Sequence, residues 1–146
     1  MKRKSISRIS ILFACSLFSQ IFPKLASAQL GVGYHQSVLS FVGVNYEIKN
    51  RFKPELRIST NLFSEDISVE ALALYDVINR DDYEFYVGLG VRSPVDEGIV
   101  IPVGLNIYPL PYKNFGFHME LAAIAGDGGI LRGSWGIRYR FLRKEK

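Results

Sequence analysis

The sequence predicts an all-β fold: an eight-stranded, antiparallel, up-and-down transmembrane β-barrel with a polar lumen. Three observations carry this. Apolar residues recur at every second position through successive segments, the period of a strand with two different faces. The intervening positions carry glycines and charges of both signs, which suit a confined interior better than a solvated face. Aromatic residues gather at the level of one set of turns, as at a membrane interface.

The pattern is plainest in the last segment, Gly129 to Phe141. Leu131, Trp135, Ile137, Tyr139 and Phe141 share one face with Gly133, while Arg132, Ser134, Gly136, Arg138 and Arg140 share the other. Earlier segments repeat it. Leu30, Val32 and Tyr34 alternate with glycines, and Val42, Val44, Tyr46 and Ile48 alternate with Phe41, Gly43, Asn45 and Glu47. Leu56, Ile58, Thr60 and Leu62 oppose Glu55, Arg57, Ser59 and Asn61. Tyr83, Phe85, Val87, Leu89 and Val91 oppose Glu84, Tyr86, Gly88, Gly90 and Arg92. Ile99, Ile101, Val103, Leu105 and Ile107 oppose Val100, Pro102, Gly104, Asn106 and Tyr108, and Phe115 to Ala123 continues the rule around Gly116, His118 and Glu120.

Asp66 to Asn79 is the one segment with helix-compatible composition. Its odd positions, Ile67, Val69, Ala71, Ala73, Tyr75 and Val77, are nevertheless apolar at period two, so a strand is expected. Leu72 and Leu74 then fall on the polar side, a departure that a β-bulge would explain. Turn-formers separate the segments, among them Lys49-Asn50-Arg51, Asn79 to Asp82, Pro109-Leu110-Pro111 and Gly126 to Gly129. Strands of about 9–11 residues cross a bilayer when tilted.

Residues 1–28 read as a secretory signal peptide. Lys2, Arg3, Lys4 and Arg8 precede a mostly apolar run, and Ala26-Ser27-Ala28 forms a small-x-small cleavage site. The apolar run is too short for a transmembrane helix. Lipidation at Cys15 is the competing reading, disfavoured by bulky Phe13 and the short run before it. The expected mature chain therefore divides into a barrel, 29–141, and a polar C-terminal tail, 142–146. Removing Lys2, Arg3, Lys4, Arg8 and Lys24 from the 18 basic residues leaves 13 against 14 acidic ones, a net charge of −1. The basic excess thus belongs to the leader, and no nucleic-acid partner is implied. Cys15, the only cysteine, leaves with it, so no intrachain disulfide is expected.

Two residue sets follow. The expected lumen network of ion pairs comprises Glu47, Glu55, Arg57, Glu70, Glu84, Arg92, His118, Glu120, Arg132, Arg138 and Arg140, with Asp76 on the same face. The expected aromatic girdle comprises Tyr46, Tyr75, Tyr83, Phe85, Tyr108, Phe115, Phe117, Tyr139 and Phe141, with Phe52 beside them. Tyr34, Phe63 and Trp135 are candidates for the opposite girdle.

On these features Gln29 to Phe141 resembles the small bacterial outer-membrane barrels of the OmpA/OmpX type, a porin-like class. The resemblance implies a Gram-negative outer-membrane location after signal-peptide cleavage, contact with outer-membrane lipid, and delivery by the outer-membrane assembly machinery, which reads a terminal aromatic. Here Leu142 to Lys146 follow Phe141. It also implies a structural or interaction role without a cofactor.

Catalytic and metal chemistry have weaker support. His118, Glu120 and Ser134 share one face and suggest a hydrolase set acting on lipid. Barrel-type lipid A deacylases carry a His-x-Ser pair, whereas this chain reads His118-Met119-Glu120. His35 and His118 are expected at different heights, so neither a metal pair nor any other metal site is expected. Ser64-Glu65-Asp66 is a solvated turn before it is a calcium loop. A soluble periplasmic barrel carrying a small apolar ligand is the chief alternative, since it would turn the apolar face inward. An outer-membrane lipid-modifying enzyme is the second.

Overall fold

The computed structural model describes residues 29–59, 67–94, 97–126 and 128–141. The expected signal peptide with Cys15, Phe63, the expected turn at Ser64-Glu65-Asp66 and the tail 142–146 lie outside these residues. Every element within them is a strand: β1 (Gln29–Gln36), β2 (Phe41–Glu47), β3 (Phe52–Ser59), β4 (Val69–Asn79), β5 (Tyr83–Ser93), β6 (Gly98–Ile107), β7 (Phe115–Gly126) and β8 (Ile130–Arg140). Each pairs antiparallel with its sequence neighbour, and β1 pairs with β8, so the sheet closes on itself. Closure leaves no sheet edge unpaired.

Period-two patterning becomes a clean division of faces. Along β8, Arg132, Ser134, Gly136 and Arg138 are buried, while Leu131, Gly133, Trp135, Ile137 and Tyr139 are exposed. The apolar side faces outward all the way round, with Leu89, Val91, Leu121 and Leu131 each more than half exposed. A soluble fold would turn such residues inward.

β4 corrects the sequence reading. Its register against β5 is regular from Val69 to Asp76, and Leu72 and Leu74 point into the barrel without a bulge. The irregularity lies between Asp76 and Ile78, where two successive residues, Val77 and Ile78, both face outward. Leu72 and Leu74 belong to an apolar cluster inside the barrel with Tyr86, Val100, Ala122 and Ile124. Glycines make room for it. Leu74 is paired across the strands with Gly88, and Leu72 with Gly90. A Cβ on either glycine would lie 2.5 Å from the facing leucine methyl, closer than atoms can approach.

The start of β1, the end of β8 (the termini of the described chain) and the turns 48–51, 80–82 and 108–114 share one end of the barrel. The β2–β3 reversal joins Ile48 to Phe52 by two backbone hydrogen bonds of 2.7 and 3.1 Å. Lys49 and Asn50 take left-handed φ of 53° and 58° there, a region that asparagine enters more readily than most residues.

Candidate functional site

The site built by this fold is the barrel interior. Six carboxylates, Glu47, Glu55, Glu70, Asp76, Glu84 and Glu120, meet six cations there, Lys53, Arg57, Arg92, Arg132, Arg138 and Arg140. Alternation on eight strands aims all of them inward, and closure brings residues from distant parts of the chain together. Low dielectric makes each charge costly unless it is paired and hydrogen-bonded.

Arg57 of β3 is the hub. It is fully buried, and its guanidinium forks onto Glu120 of β7 with bonds of 2.8 and 2.6 Å. Its Nε donates to Glu55 at 2.6 Å. Glu55 also accepts from Arg138 at 2.8 Å, and Glu120 from the Tyr86 hydroxyl at 2.7 Å. Towards the end away from the termini, Arg132 pairs with Glu70 and reaches Glu120 at 3.4 Å. Arg92 lies 3.6 Å from Glu70 and donates to Ser68 at 2.9 Å. The Phe41 ring sits under the Arg132 and Arg57 guanidiniums, 4.5 and 5.2 Å from its centroid. Those cations are thereby held over a π face as well as beside carboxylates.

A second cluster fills the end that carries the termini. The Lys53 ammonium lies 2.6 Å from Asp76, 2.6 Å from Glu84 and 3.6 Å from Glu47. Glu84 accepts further bonds from Asn106 at 3.0 Å, Tyr108 at 3.3 Å and Arg140 at 2.9 Å. Lys53 is absent from the network expected from sequence because it adjoins the Lys49-Asn50-Arg51 turn. Its parity with Glu55 and Arg57 is the signal that places it inside.

Tyr108 requires a correction. It is fully buried, with its hydroxyl on Glu84 and the Arg140 guanidinium 3.8 Å above its ring, so it is a lumen residue and not part of a girdle. Its position at the aromatic level suggested otherwise, but its even number puts it on the Asn106 face. The remaining expected aromatics, Tyr46, Tyr75, Tyr83, Phe85, Phe115, Phe117, Tyr139 and Phe141, lie on the outer face. Phe115–Phe117 and Tyr139–Phe141 meet edge to face at 5.6 and 5.0 Å between ring centroids.

The histidines are a second correction. His35 and His118 are not at different heights: their ring centroids are 4.0 Å apart. The reason is closure. Gly136 of β8 pairs with His35 on one side and with His118 on the other, and a side chain there would collide with both the Tyr34 carbonyl and the His118 ring. His35 stacks on Phe41 at 4.5 Å and lies 3.4 Å from Glu55, outside hydrogen-bond geometry. Among the described residues none of the four imidazole nitrogens has a hydrogen-bond partner, and neither has the Ser134 hydroxyl. The hydroxyl and imidazole of the hydrolase set are therefore not joined, and Glu120 is committed to Arg57 and Tyr86. Among the described residues no group of three or more metal-binding side chains is assembled.

No protein-family model and no curated protein matches this sequence. Solved structures do match it. The N-terminal β-barrel domain of Pseudomonas aeruginosa OprF superposes with a TM-score of 0.57 at 14% identity, covering 78% of this chain and 96% of that one. A protein from de novo design of transmembrane β-barrels gives 0.54 at 18% identity, covering 78% and 94%. In fold, the chain is a closed eight-stranded antiparallel β-barrel, the architecture of these transmembrane barrels. The designed barrel TMB2.3 matches likewise, with a TM-score of 0.61 at 14% identity over 80% of this chain and 94% of that one. Identities this low carry the barrel architecture and nothing about ligands.

Proposed function

We propose that this chain is a small integral outer-membrane protein whose barrel spans the bilayer with its lumen closed by its own side chains, serving a structural or interaction role without catalysis. The observation that carries the reading is the inversion of faces: a continuous apolar exterior around an interior of six carboxylates and six cations. An apolar-ligand carrier would need the reverse, an apolar cavity inside a polar shell. The outward aromatics beside the turns at the termini end then form an interfacial girdle with lipid on their flank. Signal-peptide cleavage after Ala28 and delivery by the outer-membrane assembly machinery complete the proposal.

The test is fractionation of the mature protein. It should partition with outer membranes, need detergent for extraction, and migrate faster unheated than boiled. Recovery as a soluble periplasmic species without heat-dependent mobility would overturn the reading.

A further inference from the structure

The end of the barrel that carries the termini has a charge character that the lumen network does not use. Lys49 and Arg51 lie on the β2–β3 turn, and Arg80 on the β4–β5 turn. All three are exposed, and among the described residues none has a carboxylate partner. The two turns are tied into one surface. The Asn79 amide donates to the Asn50 carbonyl, the Asp76 amide donates to the Arg51 carbonyl at 2.8 Å, and the Arg51 guanidinium reaches back to the Asp76 carbonyl at 3.5 Å. Among the described residues the other cations of this end are committed: Lys53 to Asp76 and Glu84, Lys113 to Asp82, and Arg140 to Glu84.

Arg80 fixes the height of the patch. Its guanidinium lies over the Tyr83 ring, 5.9 Å from the centroid, and Tyr83 is one of the outward aromatics. Tyrosines in such a ring sit where acyl chains give way to headgroups. A guanidinium resting on that ring is at the level of lipid phosphates. The opposite end differs: its described connecting residues, 37–40, 67–68, 94, 97 and 128–129, include Glu97 and no lysine or arginine.

We infer that Lys49, Arg51 and Arg80 form a binding site for the phosphate headgroup of an anionic phospholipid in the leaflet that meets the termini end. This rests on the transmembrane reading. Each basic residue near an anionic surface strengthens binding severalfold, and arginine forks onto two phosphate oxygens at once.

The experiment compares the barrel in phosphatidylcholine alone and in mixtures with phosphatidylglycerol, counting each lipid retained by native mass spectrometry. Insertion is read separately, from heat-dependent mobility in phosphatidylcholine alone. Wild type should retain phosphatidylglycerol preferentially, and the preference should fall about two- to fivefold with each of Lys49→Gln, Arg51→Gln and Arg80→Gln. Lys113→Gln, whose ammonium is already held by Asp82, should leave it nearly unchanged. Equal retention of the two lipids by wild type, or undiminished preference in the triple variant, would overturn the site. So would equal loss in Lys113→Gln, which would mean diffuse charge, or displacement of the lipid by inorganic phosphate, which would mean a phosphate site without headgroup selection. Failure to insert even into phosphatidylcholine would instead refute the transmembrane reading.

Discussion

Removing the Arg57 guanidinium should be among the most damaging single changes to this barrel. Arg57→Met preserves much of the side-chain volume but deletes two bonds to Glu120, one to Glu55 and a longer one to Glu70. Both carboxylates are almost fully buried, so neither recovers its hydration. Breaking a buried pair by removing one partner costs about 3–5 kcal/mol. Glu120 retains Tyr86 and Arg132, and Glu55 retains Arg138, so the lower end, about 3 kcal/mol, is expected. Glu120→Gln in the Arg57→Met background removes the stranded charge, and the double variant should recover about 1–2 kcal/mol relative to the sum of the singles. Arg140→Met supplies the contrast: Arg140 is less completely buried, and Glu84 keeps Lys53, Asn106 and Tyr108. Its cost should be about 1 kcal/mol. Urea unfolding of liposome-inserted protein, followed by fluorescence of Trp135, the only tryptophan, measures all four. Arg57→Met within about 0.5 kcal/mol of wild type, with strict additivity in the double, would refute a dry, paired lumen.

Other tests follow from the same geometry. Ile101 and Val103 lie on the outer face at 47% and 40% exposure, so truncation of either to Ala should cost about 1 kcal/mol in a bilayer; a loss of about 2–5 kcal/mol would indicate a packed protein core in its place. In planar bilayers the protein should show no sustained unitary conductance, since eight strands enclose a space that side chains fill; stable openings would contradict this. The Lys113 ammonium, hydrogen-bonded to Asp82, holds that carboxyl below its usual range at the termini end. Lys113→Ala should therefore raise the Asp82 titration midpoint in carboxyl NMR, and an unmoved midpoint would show that the pair does not form.

Much of this architecture was legible in the sequence because a strand's period is exact and a closed barrel applies it eight times. Arg132, Arg138 and Glu120 are placed inside by parity alone. What parity does not convey is composition by layer. Leu72 and Leu74 looked like errors of phase because the inner face was expected to be uniformly polar. The interior instead holds an apolar layer seated over Gly88 and Gly90. Tyr108 was misplaced by height, which is a property of neighbours, although its parity was correct. The His35–His118 contact is a product of closure: it spans the joining of first strand to last, a relation that no local window contains.

The pairing of a bulky inner side chain with a facing glycine has a further consequence, for how the barrel finds its stagger. Slipping one strand past another by a single residue would turn its faces inside out, but a slip of two preserves them and so escapes the apolar–polar rule. Sterics supply the missing discrimination. Tyr86 sits opposite Gly104, with its ring in the space a Cβ would take. Moved two positions, it would meet Pro102 or Asn106. Leu74 moved off Gly88 in one direction would meet Tyr86. Along β8, His35 and His118 share the single gap at Gly136, so the closing seam engages only when both neighbours are correctly seated. The glycines thus act as the notches of a key, rejecting the misaligned cylinders that amphipathic patterning alone would permit.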